Sequence, residues 1–115
     1  MTVRDVGPVS VFSIAGPLAA GEAAKSVGRK LRQAIEGGRK QILVSLAEVL
    51  YLDSAGLGEL FRAMASLRSR GGQIRFSDVP EKTLRLLRAA KLDKVMEIYP
   101  DESTALASFG NAPAT

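Results

Sequence analysis

A chain of 115 residues, 46% of them apolar and 24% charged, can bury one core but not two, so it reads as a single globular domain. It contains neither cysteine nor histidine, which excludes disulfides and thiol chemistry and removes the usual general base and the commonest metal ligand. A net charge of +4 raises the possibility of a nucleic-acid partner, but two tyrosines and four phenylalanines are too few aromatics to interleave with a basic patch.

In chain order, Thr2–Val6 reads as a short edge strand, Gly7-Pro8 as a turn and Val9–Ile14 as a second strand, together an opening hairpin. Gly16-Pro17-Leu18 is expected to end that strand. The first helix is predicted over Glu22–Glu36, with Ala24, Val27, Leu31, Ala34 and Ile35 on one face and Gly37-Gly38 as its stop. From Gln41 the residues Ile42, Val44 and Leu46 alternate, and the run Val49, Leu50, Tyr51, Leu52 reads as extended, largely buried backbone. Leu57, Leu60, Phe61, Met64 and Leu67 then recur at helical spacing, so the period changes from near two to near 3.6 at Ser54. Gly71-Gly72 closes this helix and Gln73–Ser77 is the next strand. A third helix over Glu81–Ala90 is expected to bury Leu84 and Leu87, with Leu86 a further candidate. Val95–Tyr99 reads as a last strand, and Asp101 as the cap of a final helix carrying Ala105, Leu106 and Phe109.

Strands that alternate with helices of ten to fifteen residues call for crossover connections and a mostly parallel sheet. The fold class expected is therefore α/β: a four- to five-stranded mixed sheet with about four helices packed mainly on one face. One domain spans 1–110, and 111–115 is expected to be a frayed tail. No basic-then-apolar leader and no run of eighteen apolar residues occurs, which predicts a cytoplasmic protein without a membrane span. The basic residues fall between apolar positions of the helices: Arg29, Lys30 and Arg32 on the first, Arg62, Arg68 and Arg70 on the second, Lys82, Arg85, Arg88 and Lys91 about the third. That is the solvated face of any amphipathic helix, suited at most to meeting an acidic partner rather than to binding nucleic acid.

Ser54, at the change of period, supports two readings that share one physics. As an N-cap, its hydroxyl would accept a hydrogen bond from a first-turn N–H, worth about 1 kcal/mol. Alternatively, the same N–H groups and the roughly +0.5 charge of a helix N-terminus would favour a phosphate on Ser54, adding about −1.5 to −2 charges without unfolding the helix. Gly56 and Gly58 each cost about 1 kcal/mol relative to alanine within a helix, which suggests that a strand or a partner approaches the backbone closely. Asp53 reads as a strand-end residue that accepts hydrogen bonds from local N–H groups.

Catalytic readings fare poorly. Gly56-Leu57-Gly58, with Asp78 about twenty residues on, imitates a dinucleotide fingerprint, but Phe61 stands where the third glycine should be. A serine hydrolase would need a base for Ser54, and without histidine only lysine or a carboxylate could serve. No Walker A sequence is present, so any ATP used would be bound by another protein. Small-ligand binding in a cleft near Gly16 to Ala20 and Ser54 is a more distant alternative. No cofactor and no metal are expected.

Asp53-Ser54-Ala55-Gly56-Leu57-Gly58, set between an apolar strand and an amphipathic helix, resembles the signature of STAS domains, specifically the bacterial anti-sigma-factor antagonists. Gly71-Gly72, the strand Gln73–Ser77, Val79-Pro80-Glu81, a leucine-rich helix, Lys91-Leu92-Asp93 and a strand ending at Tyr99 follow in the family's order. The resemblance covers Val9 to Phe109 and implies the same mixed sheet. It further implies a non-enzymatic switch: Ser54 is phosphorylated by an anti-sigma-factor serine kinase that brings its own ATP, and a phosphatase reverses the change. The unmodified form would bind the kinase and free the sigma factor, with Asp53, Ser54, Ala55, Gly56, Leu57 and Gly58 as the docking surface. Two positions depart from the family pattern. Gly16-Pro17-Leu18-Ala19 replaces Gly-Arg-Leu-Asp, and Ser45-Leu46-Ala47 replaces Asp-Leu-Ser. These losses favour, as the alternative, a STAS scaffold subunit of a signalling or transport assembly in which Ser54 only caps its helix.

Overall fold

The turn at Gly7-Pro8, where Gly7 takes a φ of 58°, folds the opening of the chain into a hairpin in the computed structural model, which describes residues 1–18 and 21–110. Strand β1 (Thr2–Val6) pairs antiparallel with β2 (Val9–Leu18). Helix α1 (Glu22–Glu36) crosses back to β3 (Gln41–Leu52), which lies parallel to β2. Helix α2 (Ser54–Ser69) leads to β4 (Gln73–Ser77), and α3 (Glu81–Ala89) with a single 3-10 turn at Leu92–Lys94 leads to β5 (Ile98–Tyr99). Helix α4 (Glu102–Gly110) ends the described chain. The sheet order β1-β2-β3-β4-β5 follows the sequence, with only the first pair antiparallel. The expected frayed segment 111–115 lies outside the described residues, as do Ala19 and Ala20.

Period-two alternation in the central strands gives the sheet two apolar faces. On one, Phe12, Ile14, Ile42, Val44, Ile74 and Phe76 pack against Leu31 and Ile35 of α1, Leu60, Met64 and Leu67 of α2 and Leu87 of α3. On the other, Val9, Val11 and Leu43 meet Ala105 and Phe109 of α4, and the Arg75 guanidinium stands 4.5 Å over the Phe109 ring. Three helices thus cover one face and a single short helix the other.

Four details differ from the expectations. Strand β2 does not stop at Gly16-Pro17 but runs to Leu18. Past Ser13, β2 is paired by β3 alone, and Pro17 falls at a register shift in that pairing, a bulge where a missing N–H is tolerated. The last strand is two residues rather than five. Lys91 adopts a left-handed φ of 61° and the following 3-10 turn sends Met96 into the core, so only Ile98 and Tyr99 reach the edge of β4. On α3, Thr83 and Leu87 are the buried residues, while Leu84 is half-buried and Leu86 faces solvent. Finally, Leu50 and Tyr51, expected to be largely buried, are exposed.

Asp101 does cap the last helix: its Oδ1 accepts a hydrogen bond from the Thr104 N–H at 2.8 Å. That bond, with a further one from the Thr104 side chain, holds the Asp101 carboxyl below its ordinary value near 3.8. A group whose folded pKa is depressed gives stability that is present above the unfolded value and lost as pH falls through the folded one. Amide protection factors in α4 should therefore fall relative to those in α1, which has no side-chain cap, once pH drops below about 3.8. Asp101→Ala should show the low α4 protection already at neutral pH. Hydrogen exchange followed by NMR checks both, and equal α4 protection in Asp101→Ala and wild type would contradict the capping role.

Candidate functional site

The geometry around Ser54 is set by an irregularity in β3. Ser13 pairs with Ser45 but Ala15 with Glu48, so one extra residue enters β3 there; Gly16 pairs with Val49 but Pro17 with Tyr51, which inserts another. Each bulge moves the inward phase by one residue. The core-facing positions consequently run Ile42, Val44, Leu46, then Val49 and Leu52 at steps of three. This explains why Leu50 is 81% and Tyr51 57% exposed in an otherwise apolar run. A reading based on uninterrupted alternation could not find the bulges, although the spacing of Leu46, Val49 and Leu52 carried the signal.

The second bulge delivers Leu52 into the core and Asp53 to the mouth of α2. Asp53, not Ser54, is the N-cap. Its backbone is extended, with φ −108° and ψ −176°, and its Oδ1 accepts a hydrogen bond from the Gly56 N–H at 2.9 Å, while its carbonyl accepts the first helical bond, from the Leu57 N–H at 2.9 Å. The reading of Ser54 as the capping residue is thereby corrected. Aspartate and serine are both good caps, and the bulged strand places the first of the two at the non-helical position. Ser54 becomes the first residue of α2, exposed, and its hydroxyl makes no hydrogen bond to the described residues. It stands at the positive end of the helix dipole with no structural task of its own.

The two glycines of the motif do different things. A Cβ on Gly56 would lie 2.1 Å from the Leu18 carbonyl oxygen, so the first turn of α2 rests directly on the backbone at the end of β2. The Asp53 N–H points to the same oxygen at 3.4 Å. Leu18 therefore fills the side of Gly56 that a bound pyrophosphate would need, which leaves the dinucleotide resemblance without a site. A Cβ on Gly58 would meet nothing closer than the Arg62 guanidinium, at 3.7 Å. Asp53, Leu57 and Gly58 are half-buried, Ser54 and Ala55 are exposed and Gly56 is buried, so all but Gly56 contribute to the motif's surface. Next to them Glu59, only 15% exposed, lies against Gly28 of α1 and forms ion pairs with Arg32 at 3.4 Å and Arg62 at 3.7 Å, joining the two helices.

Of the two departures from the family pattern, Ala19 lies outside the described residues. Ser45 is buried, paired in register between Ser13 and Ser77, with its hydroxyl 3.5 Å from the Ala47 N–H. Its neighbours in β3, Val44 and Leu46, face the main core, so the Ser45 side chain lies on the opposite sheet face. The basic residues named from the helices lie on exposed faces; Arg32 and Arg62 pair with Glu59, Arg85 with Glu81, and Arg68 and Arg70 donate to the Val95 and Ile35 carbonyls. No helix among the described residues is long and apolar enough to cross a membrane.

Two stability predictions separate these roles. Asp53→Ala should lower unfolding free energy by about 1 kcal/mol, whereas Ser54→Ala should change it by less than about 0.5 kcal/mol. Urea denaturation measures both, and the reverse order would return the cap to Ser54. Gly56→Ala should destabilise by about 1–3 kcal/mol because the methyl group meets an immovable carbonyl. Gly58→Ala should stabilise by up to about 1 kcal/mol, since it removes glycine from a helix and fits the open space. Equal effects of the two substitutions would contradict the packing on Leu18.

A family model for the STAS domain matches residues 1–105. An anti-sigma F factor antagonist of Paenibacillus polymyxa is 34% identical over 67 residues, which cover 58% of this chain and 57% of that protein, so the match spans little more than half of the relative. Among solved structures, an anti-sigma factor antagonist from Mycobacterium paratuberculosis superposes with a TM-score of 0.83 at 24% identity, covering 93% of this chain and 90% of that one. The Bacillus cell fate determinant SpoIIAA in its phosphorylated form superposes with a TM-score of 0.73 at 19% identity over 94% of this chain and 97% of that one. These two likenesses are of fold: the same five-stranded mixed sheet and four helices. With the family model spanning nearly all of its length, the chain belongs to the STAS domain family.

Proposed function

We propose that the chain is a cytoplasmic, non-enzymatic anti-sigma-factor antagonist switched by phosphate on Ser54. The observation that carries the reading is the division of labour at the start of α2: Asp53 holds the helix end, and the Ser54 hydroxyl is left exposed at the positive terminus. Unmodified, the chain binds an anti-sigma-factor serine kinase through Asp53, Ser54, Ala55, Leu57 and Gly58, with buried Gly56 setting the turn that presents them. The kinase brings the ATP. Once Ser54 carries phosphate the partner is released, and a phosphatase restores the binding form. The Paenibacillus relative, named for antagonism of anti-sigma F, and the solved phosphorylated form of SpoIIAA support the same direction.

The physics of the switch is local. A phosphate at the first helical position gains from the dipole, so the modified helix keeps its fold. An interface closed around a neutral hydroxyl must instead accommodate nearly two negative charges, desolvated and facing whatever acidic groups the partner presents. A difference of 1.4 kcal/mol already changes affinity tenfold. Modification therefore acts on binding rather than on folding.

The test is retention of partners from native cell extract with added ATP by tagged wild type, Ser54→Ala and Ser54→Asp, with mass spectrometry of the bound proteins and of the Ser54 peptide. An ATP-binding kinase should be retained by Ser54→Ala and depleted at least tenfold on Ser54→Asp, and the wild-type peptide should gain one phosphate. If all three baits hold the same proteins and Ser54 stays unmodified, the switch is wrong and the chain acts as a scaffold.

A further inference from the structure

Strand β3 outruns its neighbour on one side. Strand β4 pairs with it only from Gln41 to Ser45, after which Asp78, at a left-handed φ of 59°, turns the chain away into α3. Beyond that point β3 is paired by β2 alone, through Glu48, Val49, Tyr51 and Leu52. Among the described residues no strand lies along its other edge as far as Leu52. Helix α3 stands across from that edge, and between them runs an open cleft of about 440 Å³, lined by Leu50, Tyr51 and Leu52 from the strand and by Lys82, Arg85 and Leu86 from the helix.

Three features of this cleft specify an occupant. An unpaired strand edge presents backbone donors and acceptors that only another extended backbone satisfies in full. Leu50, Tyr51 and Leu86, at 81%, 57% and 55% exposure, put three large apolar side chains on one small surface, which is the mark of a contact site rather than of scattered surface residues. The charged side chains of the lining, Lys82 and Arg85, are both basic. Arg85 also reaches Glu81 at 3.4 Å, but that pair is largely solvent-exposed and so weak enough to be exchanged for a better carboxylate. A second copy of this chain, with its net charge of +4, is a poor match for such a lining.

We propose that the cleft takes an extended, acidic segment of the partner protein, which adds to the free edge of β3 as a strand. Its apolar side chains rest on Leu50, Tyr51 and Leu86, and its carboxylates face Lys82 and Arg85. This rests on the reading of the chain as a partner-binding antagonist and deepens it. The segment would run past Leu52, two residues from Ser54, within the roughly 8–10 Å over which charges still interact at physiological salt. Phosphate on Ser54 would then repel the acidic strand directly. The cleft thus supplies the negative charge in the partner that the switch needs.

A capped hexapeptide of alternating valine and glutamate, titrated into the isotope-labelled full chain and followed by NMR, tests the cleft without the natural partner. Saturable shifts should appear at residues 48–52 and 82–86, with slowed amide exchange in 48–52. Lys82→Glu/Arg85→Glu should weaken binding at least tenfold, Ser54→Asp should weaken it severalfold, and the same peptide with lysine for glutamate should not bind. Shifts scattered over the helices, absence of slowed exchange, or equal binding of the lysine peptide would overturn the proposal. In the partner-retention experiment, Leu86→Glu should lose the same kinase as Ser54→Asp. If Leu86→Glu keeps a kinase that Ser54→Asp loses, the cleft is wrong and the switch stands. If the peptide binds the cleft as described while Ser54→Asp loses no partner, the strand-addition site stands and the switch fails.

Discussion

The close approach of α2 to the end of β2 is the constraint on which the functional surface depends. With no side chain on Gly56, the first turn of the helix sits on the Leu18 carbonyl, and that contact fixes both the depth and the direction of the helix mouth. Everything outward follows from it. Asp53 lies within reach of the Gly56 N–H, the helix starts one residue later, and Ser54 is presented rather than packed. A side chain at position 56 would lift the turn and with it the serine, without touching the serine itself. The Glu59 carboxylate, held against Gly28 and paired with Arg32, secures the next turn of α2 to α1, so the mouth is anchored from two sides.

Adjacent residues divide the work at the helix mouth: Asp53 caps it and Ser54 stays exposed. Had serine been the cap, a phosphate on it would have to replace the hydroxyl's hydrogen bond with one from its own oxygens. With the aspartate bearing that task, the hydroxyl next to it can change from neutral to dianionic while the helix persists. On the proposed switch, the fold would be insulated from the chemistry at its surface, and the free energy of modification would be expressed in the partner complex.

Much of this was legible in the residues. The periods of 3.6 and two gave Glu22–Glu36 and Gln73–Ser77 their observed bounds, because each is filled by one pattern and closed by turn-forming residues, while the bounds of Thr2–Val6 came from the Gly7-Pro8 turn. The motif Asp53 to Gly58 and its place at a strand-to-helix junction were equally plain. What misled were local exceptions to periodicity. Pro17 sits at a bulge in the pairing with β3, so it does not end β2. Leu50 and Tyr51 belong to an apolar run whose phase is broken twice, and their exposure follows from pairing with β2, which no single-strand pattern contains. Serine and aspartate are near equals as caps, so residue type alone could not say which of the two adjacent residues would hold the helix. The cleft beside α3 was missed for the related reason that it is defined by where β4 stops, a property of the sheet.

The two bulges of β3 also make the length of this strand a functional quantity. Between Leu46 and Leu52 the chain crosses from one inward phase to another and back to the core at steps of three, and the arrival of Asp53 at the helix mouth counts on both extra residues. Substitutions in this stretch alter the surface of the cleft; a change in residue number would rotate everything downstream. Loss of a single residue here would bring the wrong side chain to the cap and turn the serine away from the surface, while leaving composition, charge and apolar content almost as before. The segment therefore works as a ruler, and among related chains its length should be more constrained than its identity.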